Sequence, residues 1–437
     1  MRAGLSLTLA RRQLLRLGAL AGLGAGLGAG LMPRLAMAAE RPDRMANIRA
    51  LVDRWVGPGK FPGMIASLGL PGGDPEYVLR GSEGFTDPDP MTPDSLFRIY
   101  SMTKPVTGMA TMILIDEGRL GLDQPLADIL PAYARMQVQV TPDGSLTEVR
   151  PARTPILIRH LLTHTSGIGY SIIQKGPIKQ AMIDAGLVAG LISAIPIPGL
   201  ERGRAAPSLA AFADRLAAMP LVYEPGTTWS YGLGLDLLGR VIEVVSGQPF
   251  DAFLRDRLFG PCGMDSTFFR VPAGEARRLT TNYAVLEGIF VPIDKGGESV
   301  FLDEPPFPFG GSGLVSSPRD YDRFLRMLAQ LGAIGGKRVM RERAVRLGTG
   351  DLLPPGIDTT GTFAMGGGFG AGGRVGRGAE AGIFGWAGAA GTVGTVDMAR
   401  GIRAAIYEQF MPPDAMPVLS EYQRALRADV MALLEKS

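Results

Sequence analysis

The chain reads as an α/β protein of the α+β kind, with an antiparallel sheet flanked by helices and a mostly helical domain inserted into it. Three observations predict this. Strand-like apolar runs broken by Gly and Pro occur near the N-terminus. Similar short runs follow one another after Phe268. Between them lie segments with helix caps and helical apolar spacing. The division expected is 45–120 with 275–437 for the sheet, and 121–274 for the helical domain.

Residues 64–70 and 77–83 read as two strands around Pro71-Gly72-Gly73-Asp74. Phe97, Ile99 and Tyr100 lead into a helix that carries Ser101 and Lys104 in its first turn and ends near Gly118. Residues 120–131 are a connection. Thr154 is read as an N-cap with Pro155 at the first helical position, opening a helix to about residue 162. Residues 171–206 are apolar and include Ile195-Pro196-Ile197-Pro198. They read as a lid or as a core-packed insertion, with the insertion preferred. Ser208 caps a helix to about residue 218. A helix over 234–246 is closed by Gly247, and 249–258 is another. Residues 319–331 form an amphipathic helix; 382–386, 391–397 and 402–410 are successive strands; 419–434 is a closing helix. If the N-terminal strands join the late ones, the helical middle becomes the insertion.

The first 38 residues read as a targeting segment. Arg2, Arg11, Arg12 and Arg16 precede a Gly/Ala/Leu run over 17–31, and Ala36-Met37-Ala38 is a cleavage site. The run is too short and glycine-rich for a membrane span. Ala10-Arg11-Arg12-Gln13-Leu14-Leu15-Arg16 resembles a twin-arginine export pattern. The expectation is a periplasmic or secreted bacterial protein with no stable membrane insertion after cleavage. This segment holds five Arg and no acid, so its removal takes the formal charge from +3 to −2. Without a basic run or a basic-aromatic stripe, nucleic acid is not an expected partner. The single Cys262 excludes an intramolecular disulfide. With only His160 and His164 present, a His-rich metal site and a Ser-His-Asp triad are both hard to build. Both histidines read as structural, and no metal or cofactor is implied. The oligomeric state is left open.

Chemistry concentrates at Tyr100-Ser101-Met102-Thr103-Lys104-Pro105. Side chains three positions apart share a helix face, so Lys104 can reach the Ser101 hydroxyl. A serine hydroxyl needs a group to take its proton, and a lysine serves only when neutral, a state that burial favours. With 19 Ser and 7 Lys in 437 residues, one Ser-x-x-Lys is unremarkable; the bland alternative is Ser101 as an N-cap beside a solvated lysine. Tyr231 lies in a glycine-rich loop, Pro225 to Gly234, feeding a helix. It can accept a proton if an ammonium nearby favours its phenolate, although packing at a helix start is the commoner fate of a tyrosine. In Trp386-Ala387-Gly388-Ala389-Ala390-Gly391-Thr392 the small residues let a substrate carbonyl approach backbone N–H groups, as an oxyanion hole requires. A plain glycine-rich hairpin reads as well in isolation.

Together these blocks resemble the serine hydrolases of the class C β-lactamase and penicillin-binding-protein type. The resemblance includes Ser101-x-x-Lys104, Leu161-Leu162-Thr163-His164-Thr165-Ser166-Gly167, Glu224-Pro225-Gly226 before Tyr231, Leu238-Gly239-Arg240-Val241-Ile242-Glu243 and Gly310-Gly311-Ser312-Gly313-Leu314-Val315-Ser316-Ser317. It implies the β-lactamase/DD-peptidase fold. It implies Ser101 as acylated nucleophile and Lys104 and Tyr231 sharing the base role. Backbone N–H groups of Ser101 and Ala389 would hold the oxyanion, with Gly388 and Trp386 beside them. Two departures stand out. The family's Tyr-x-Asn has Leu233 in third place, and its Lys-Thr-Gly is replaced by Trp386-Ala387-Gly388. Losing a charge-assisted contact of ~1.5–3 kcal/mol lowers carboxylate-substrate affinity roughly 10- to 150-fold. An indole at the mouth favours uncharged groups. The Trp-x-Gly variant resembles the β-lactamase-like (family VIII) esterases. The expected activity is a serine carboxylesterase acting on a small-molecule ester. The alternatives are a β-lactamase, a D-alanyl-D-alanine carboxypeptidase or a non-catalytic cell-wall-binding relative.

Overall fold

The computed structural model describes residues 43–195 and 204–435. The export signal read at 1–38 and part of the apolar 171–206 stretch lie outside the described residues.

Eight strands form the main sheet: β1 (Gly63–Gly69), β2 (Glu76–Gly84), β3 (Asp87–Pro90), β4 (Gly368–Phe369), β5 (Arg374–Val375), β6 (Ile383–Gly388), β7 (Thr392–Asp397) and β8 (Ile402–Tyr407). Their order is β4-β5-β6-β7-β8-β1-β2-β3, and every neighbouring pair is antiparallel. The N-terminal strands therefore join the C-terminal ones through β1 and β8, where Ile65 faces Tyr407 and Ala66 faces Ile406.

Period-two alternation separates the two faces. Met64, Ala66 and Leu68 of β1 and Ile402, Ala404 and Ile406 of β8 share one apolar cluster. Helices Ala46–Trp55 and Val418–Leu434 cover it with Ile48, Leu51, Val52, Val418 and Tyr422. Pro42-Asp43 ahead of the first of these helices is a start signal, which sequence reading passes over. The opposite face sends Ile65, Ala405 and Tyr407 into the main core. Helices Thr103–Asp116, Gly234–Ser246 and Pro318–Ala329 pack into that core.

Several expected elements stand nearly where the spacing puts them. Ser208 accepts from the Ala211 N–H to cap helix Leu209–Ala217, and Gly247 ends its helix at φ 74°. The helix expected from residue 319 begins at Pro318, with Ser317 accepting from the Asp320 N–H. Helix Phe250–Leu254 continues through a π turn, Arg255–Phe259, into Gly260–Cys262.

The helix expected to open at Thr154 does not begin there. It spans Ile158–Leu162, with Leu157 as N-cap. The physical reason is Glu224, whose carboxylate accepts the Arg153 and Thr154 N–H groups and so holds that segment in a bend ahead of the helix. The Thr154 hydroxyl donates to Pro225 O instead of capping a helix. In the apolar stretch, helix Gly176–Asp184 sinks Ile178 and Met182 into the main core, joined by Leu187 and Val188. Leu191 and Ile192 pack against a smaller cluster around Tyr100, Phe301 and Ala390.

Candidate active site

Ser101 sits in a single 3-10 turn, Tyr100–Met102, rather than inside the α-helix that follows at Thr103–Asp116. Strand Phe97–Arg98 delivers the chain to this turn. Arg98 anchors it from a wholly buried position, donating to Asp294, Thr280 O and Ser299. The neighbouring Tyr100 has φ 40°, a conformation that bulky residues rarely adopt and that the packing around the nucleophile must hold.

Lys104 is 0% exposed, so the solvated-lysine alternative does not describe it. Its Nζ donates to Ser101 Oγ at 3.2 Å and to Gly311 O at 2.7 Å. It also lies over the Tyr231 ring, 4.6 Å from the centroid, and 5.7 Å from that of Tyr170. The 310–314 segment is fastened along the same helix. Thr107 Oγ1 donates to Gly310 O, and the Leu314 N–H donates to Thr103 Oγ1.

Tyr231 is aimed by the segment that carries His164. The Ser230 N–H donates to His164 O, and the Gly232 N–H donates to His164 Nδ1. A Cβ at Gly232 would stand 2.3 Å from Ile168 O, so glycine permits this close approach. The His164 ring packs 4.6 Å from that of Tyr231. Burial, then the Lys104 charge, hold its imidazole well below the usual histidine range. With Nδ1 accepting, the ring proton belongs on Nε2. His164 thus braces the tyrosine, consistent with the structural reading. His160 does likewise at the preceding helix, with its Nδ1 accepting the Leu157 N–H and burial lowering its pKa to about 4.

Trp386 reaches the same point from β6. Its indole N–H donates to Tyr231 Oη at 3.0 Å. It is 9% exposed and forms part of the wall, so the expectation of an indole at the mouth is corrected. Tyr231 occupies the indole's front by hydrogen bonding to it. The exposed apolar groups come from a loop not singled out in the sequence: Phe363, 60% exposed, packs 5.7 Å from the Tyr231 ring, and Met365 is 61% exposed. Gly388, at the end of β6, abuts the nucleophile turn; a Cβ there would stand 2.4 Å from Ile99 O. Ala389 follows in the hairpin to β7 and packs on the Tyr100 cluster. Ser101, Lys104, Tyr231 and Trp386 are therefore linked by direct contacts, and Gly388 and Ala389 lie against the segment that carries Ser101. Leu233, at the position of the family's asparagine, is wholly buried and serves the core.

Two contributors escape sequence reading. Gly311 supplies the carbonyl that holds Lys104. Asp236, 1% exposed, accepts the Gly311 N–H at 2.8 Å. The available signal is an acid within the otherwise apolar Leu235 to Leu238 run. Among the described residues, no group of three or more His, Cys, Asp or Glu is placed to hold a metal ion.

Comparison with known proteins adds to this geometry. The chain is 37% identical to Protein Rv1367c of Mycobacterium tuberculosis over 283 residues, which is 64% of this chain and 66% of that one, just under two thirds of the relative's length. It is 28% identical to Esterase EstB of Burkholderia gladioli over 67% of this chain and 72% of that one. Among solved structures, EstCE1, described as a hydrolase with promiscuous acyltransferase activity, superposes with a TM-score of 0.70 at 24% identity, covering 87% of this chain and 97% of that one. The chain has the β-lactamase/penicillin-binding-protein fold. It belongs to the beta-lactamase family, whose model matches residues 48–428.

Proposed function

We propose that this protein is an exported carboxylesterase that cleaves small uncharged esters through an acyl-Ser101 intermediate. The observation that carries the reading is the buried Lys104 Nζ at 3.2 Å from Ser101 Oγ, with the Tyr231 ring against it. Ser101 Oγ attacks the ester carbonyl while its proton passes to the Lys104/Tyr231 pair. The pair returns that proton to the leaving alkoxide. Water then enters, gives up a proton to the same pair and releases the acid. The N–H groups of Ser101 and Ala389 receive the oxyanion at each tetrahedral stage. Trp386 and Gly388 shape the wall around it.

The preference for uncharged esters rests on what stands in the cleft. Trp386 stands where the family carries a cation, and Phe363 offers exposed apolar surface beside Tyr231. The division into 45–120 with 275–437 and 121–274 would put Ser101 and Lys104 on one side of the cleft and Tyr231 on the other. Residues 1–38 would direct export by the twin-arginine route, placing the enzyme in the periplasm or outside the cell without a membrane anchor or nucleic-acid partner. The apolar rim also favours a second reading, transfer of the acyl group to an apolar alcohol in competition with water.

The test is a set of initial rates on the mature protein with p-nitrophenyl acetate, p-nitrophenyl butyrate and nitrocefin, with Ser101→Ala alongside. Ester turnover should dominate and should fall by at least about 1,000-fold in the variant while the fold survives. Near-wild-type ester turnover in Ser101→Ala would falsify the acyl-serine route, and dominant nitrocefin turnover would identify a β-lactamase. Adding butanol and measuring butyl ester against free acid separates transfer from hydrolysis.

A further inference from the structure

Lys104 has a counter-charge that the Ser101/Lys104/Tyr231 scheme leaves unused. Asp236 lies in the first turn of helix Gly234–Ser246 with its side chain buried. Its Oδ1 accepts the Gly311 N–H at 2.8 Å, and the carbonyl of the same Gly311 accepts from Lys104 Nζ at 2.7 Å. One residue's two peptide groups thus bridge the carboxylate to the lysine nitrogen. The bridge needs glycine, since a Cβ on Gly311 would stand 2.4 Å from Asp236 Oδ2. That second oxygen is buried without a hydrogen-bond partner.

We infer that Asp236 is a positioning residue for Lys104: through the Gly311 peptide it fixes the amine at the Ser101 hydroxyl, and its carboxylate balances the positive charge Lys104 carries once it has taken that proton. The inference rests on Ser101 and Lys104 acting as proposed above. When Ser101 Oγ bonds to the acyl carbon, its proton moves to the neutral Lys104 amine, which becomes an ammonium away from water. The proton leaves with the alkoxide, and the amine is neutral again. Asp236 exchanges no proton in this cycle. A buried ammonium without a counter-charge is costly, so the carboxylate lowers the barrier to forming it.

A purely structural role fits the residue less well. A buried acid with one unsatisfied oxygen weakens a fold, and an amide could accept the Gly311 N–H equally well. The titratable and charged groups that face it are Lys104, from the nucleophile's helix, and Tyr170, from the segment after His164. Burial raises the Asp236 carboxyl to about 6, against the pull of Lys104, the Gly311 N–H and its own backbone N–H. Below that pH the counter-charge disappears, and acylation should slow.

The test is Asp236→Asn, which keeps the shape and the acceptor and removes the charge. Using p-nitrophenyl butyrate across about pH 5–9, the variant should lose at least about tenfold in kcat with KM within about twofold. The acid-side fall that wild type shows near pH 6 should move to lower pH. An unchanged kcat, or a lower kcat with the acid-side fall still in place, overturns the inference. Should the variant not fold, the rate at which an activated fluorophosphonate labels wild-type Ser101 decides. A rate that falls with acid through pH 6 supports the inference, and a rate independent of pH between about 5 and 7 overturns it. A wild-type protein that neither turns over the ester nor takes the label refutes the esterase reading itself, a separate result.

Discussion

At the residue scale, two of the buried acids have different consequences. Asp236 has a peptide bridge to Lys104. Glu408, at the end of β8, has neither carboxylate oxygen hydrogen-bonded, and burial pushes its pKa well above the ordinary range. It lies against the β6–β7 hairpin; a Cβ on Gly391 would stand 2.8 Å from its Oε2. A carboxyl that holds its proton more tightly when folded makes the native state the better proton binder. Stability then falls as pH rises above the unfolded value near 4.5. Glu408→Gln removes that titration. The variant should gain on the order of 1–3 kcal/mol over wild type at pH 8, with a smaller gain at pH 4, as read by urea unfolding at both pH values. Equal gains at the two pH values would mean the carboxyl is ionised in the folded protein.

Elements place these residues more finely than their types do. Ser101 stands in a 3-10 turn because β6 ends against Ile99 O and the 310–314 segment is fastened alongside, which leaves little room for another path. The loop 359–367 is likewise a closed unit. Thr359 Oγ1 donates to Gly367 O, Thr362 Oγ1 donates to Thr359 O, and the Gly366 N–H donates to Thr359 O. This hydrogen-bonded loop holds Phe363 outward beside Tyr231. Phe363→Asp should therefore penalise longer acyl chains. The two methylenes that separate butyrate from acetate contribute ~0.8 kcal/mol each when buried, so the butyrate-to-acetate ratio of kcat/KM should fall by up to about 15-fold. An unchanged ratio would place the acyl chain elsewhere.

At the scale of the whole molecule, the chain's two described ends secure one another. Asp429 of helix Val418–Leu434 accepts the Asn47 and Ile48 N–H groups and the Asn47 side-chain amide. It thus satisfies N–H groups that helix Ala46–Trp55 leaves open at its start, the role an N-cap side chain ordinarily plays. Asp429→Ala should cost about 1–2 kcal/mol and speed hydrogen exchange in 46–55. Ester kcat and KM should stay unchanged, because this contact lies on the sheet face opposite Ser101's core. A loss of activity with the fold intact would mean the two faces are coupled.

Sequence alone was enough for whatever local chemistry dictates. Ser208 and Gly247 punctuate their helices because a hydroxyl and a missing Cβ suit those ends in any context. Alternation set the faces of β1 and β8, and three-residue spacing set Ser101 beside Lys104. What depends on contacts distant in sequence was decided by the tertiary structure alone. Glu224 delays the helix that Thr154 would open, Tyr231 draws Trp386 into the wall, and Gly311 joins Asp236 to Lys104 across 75 and 207 residues of chain. The physical reason is that a hydrogen bond depends on positions in space, and local pattern carries no record of which distant group arrives to make it.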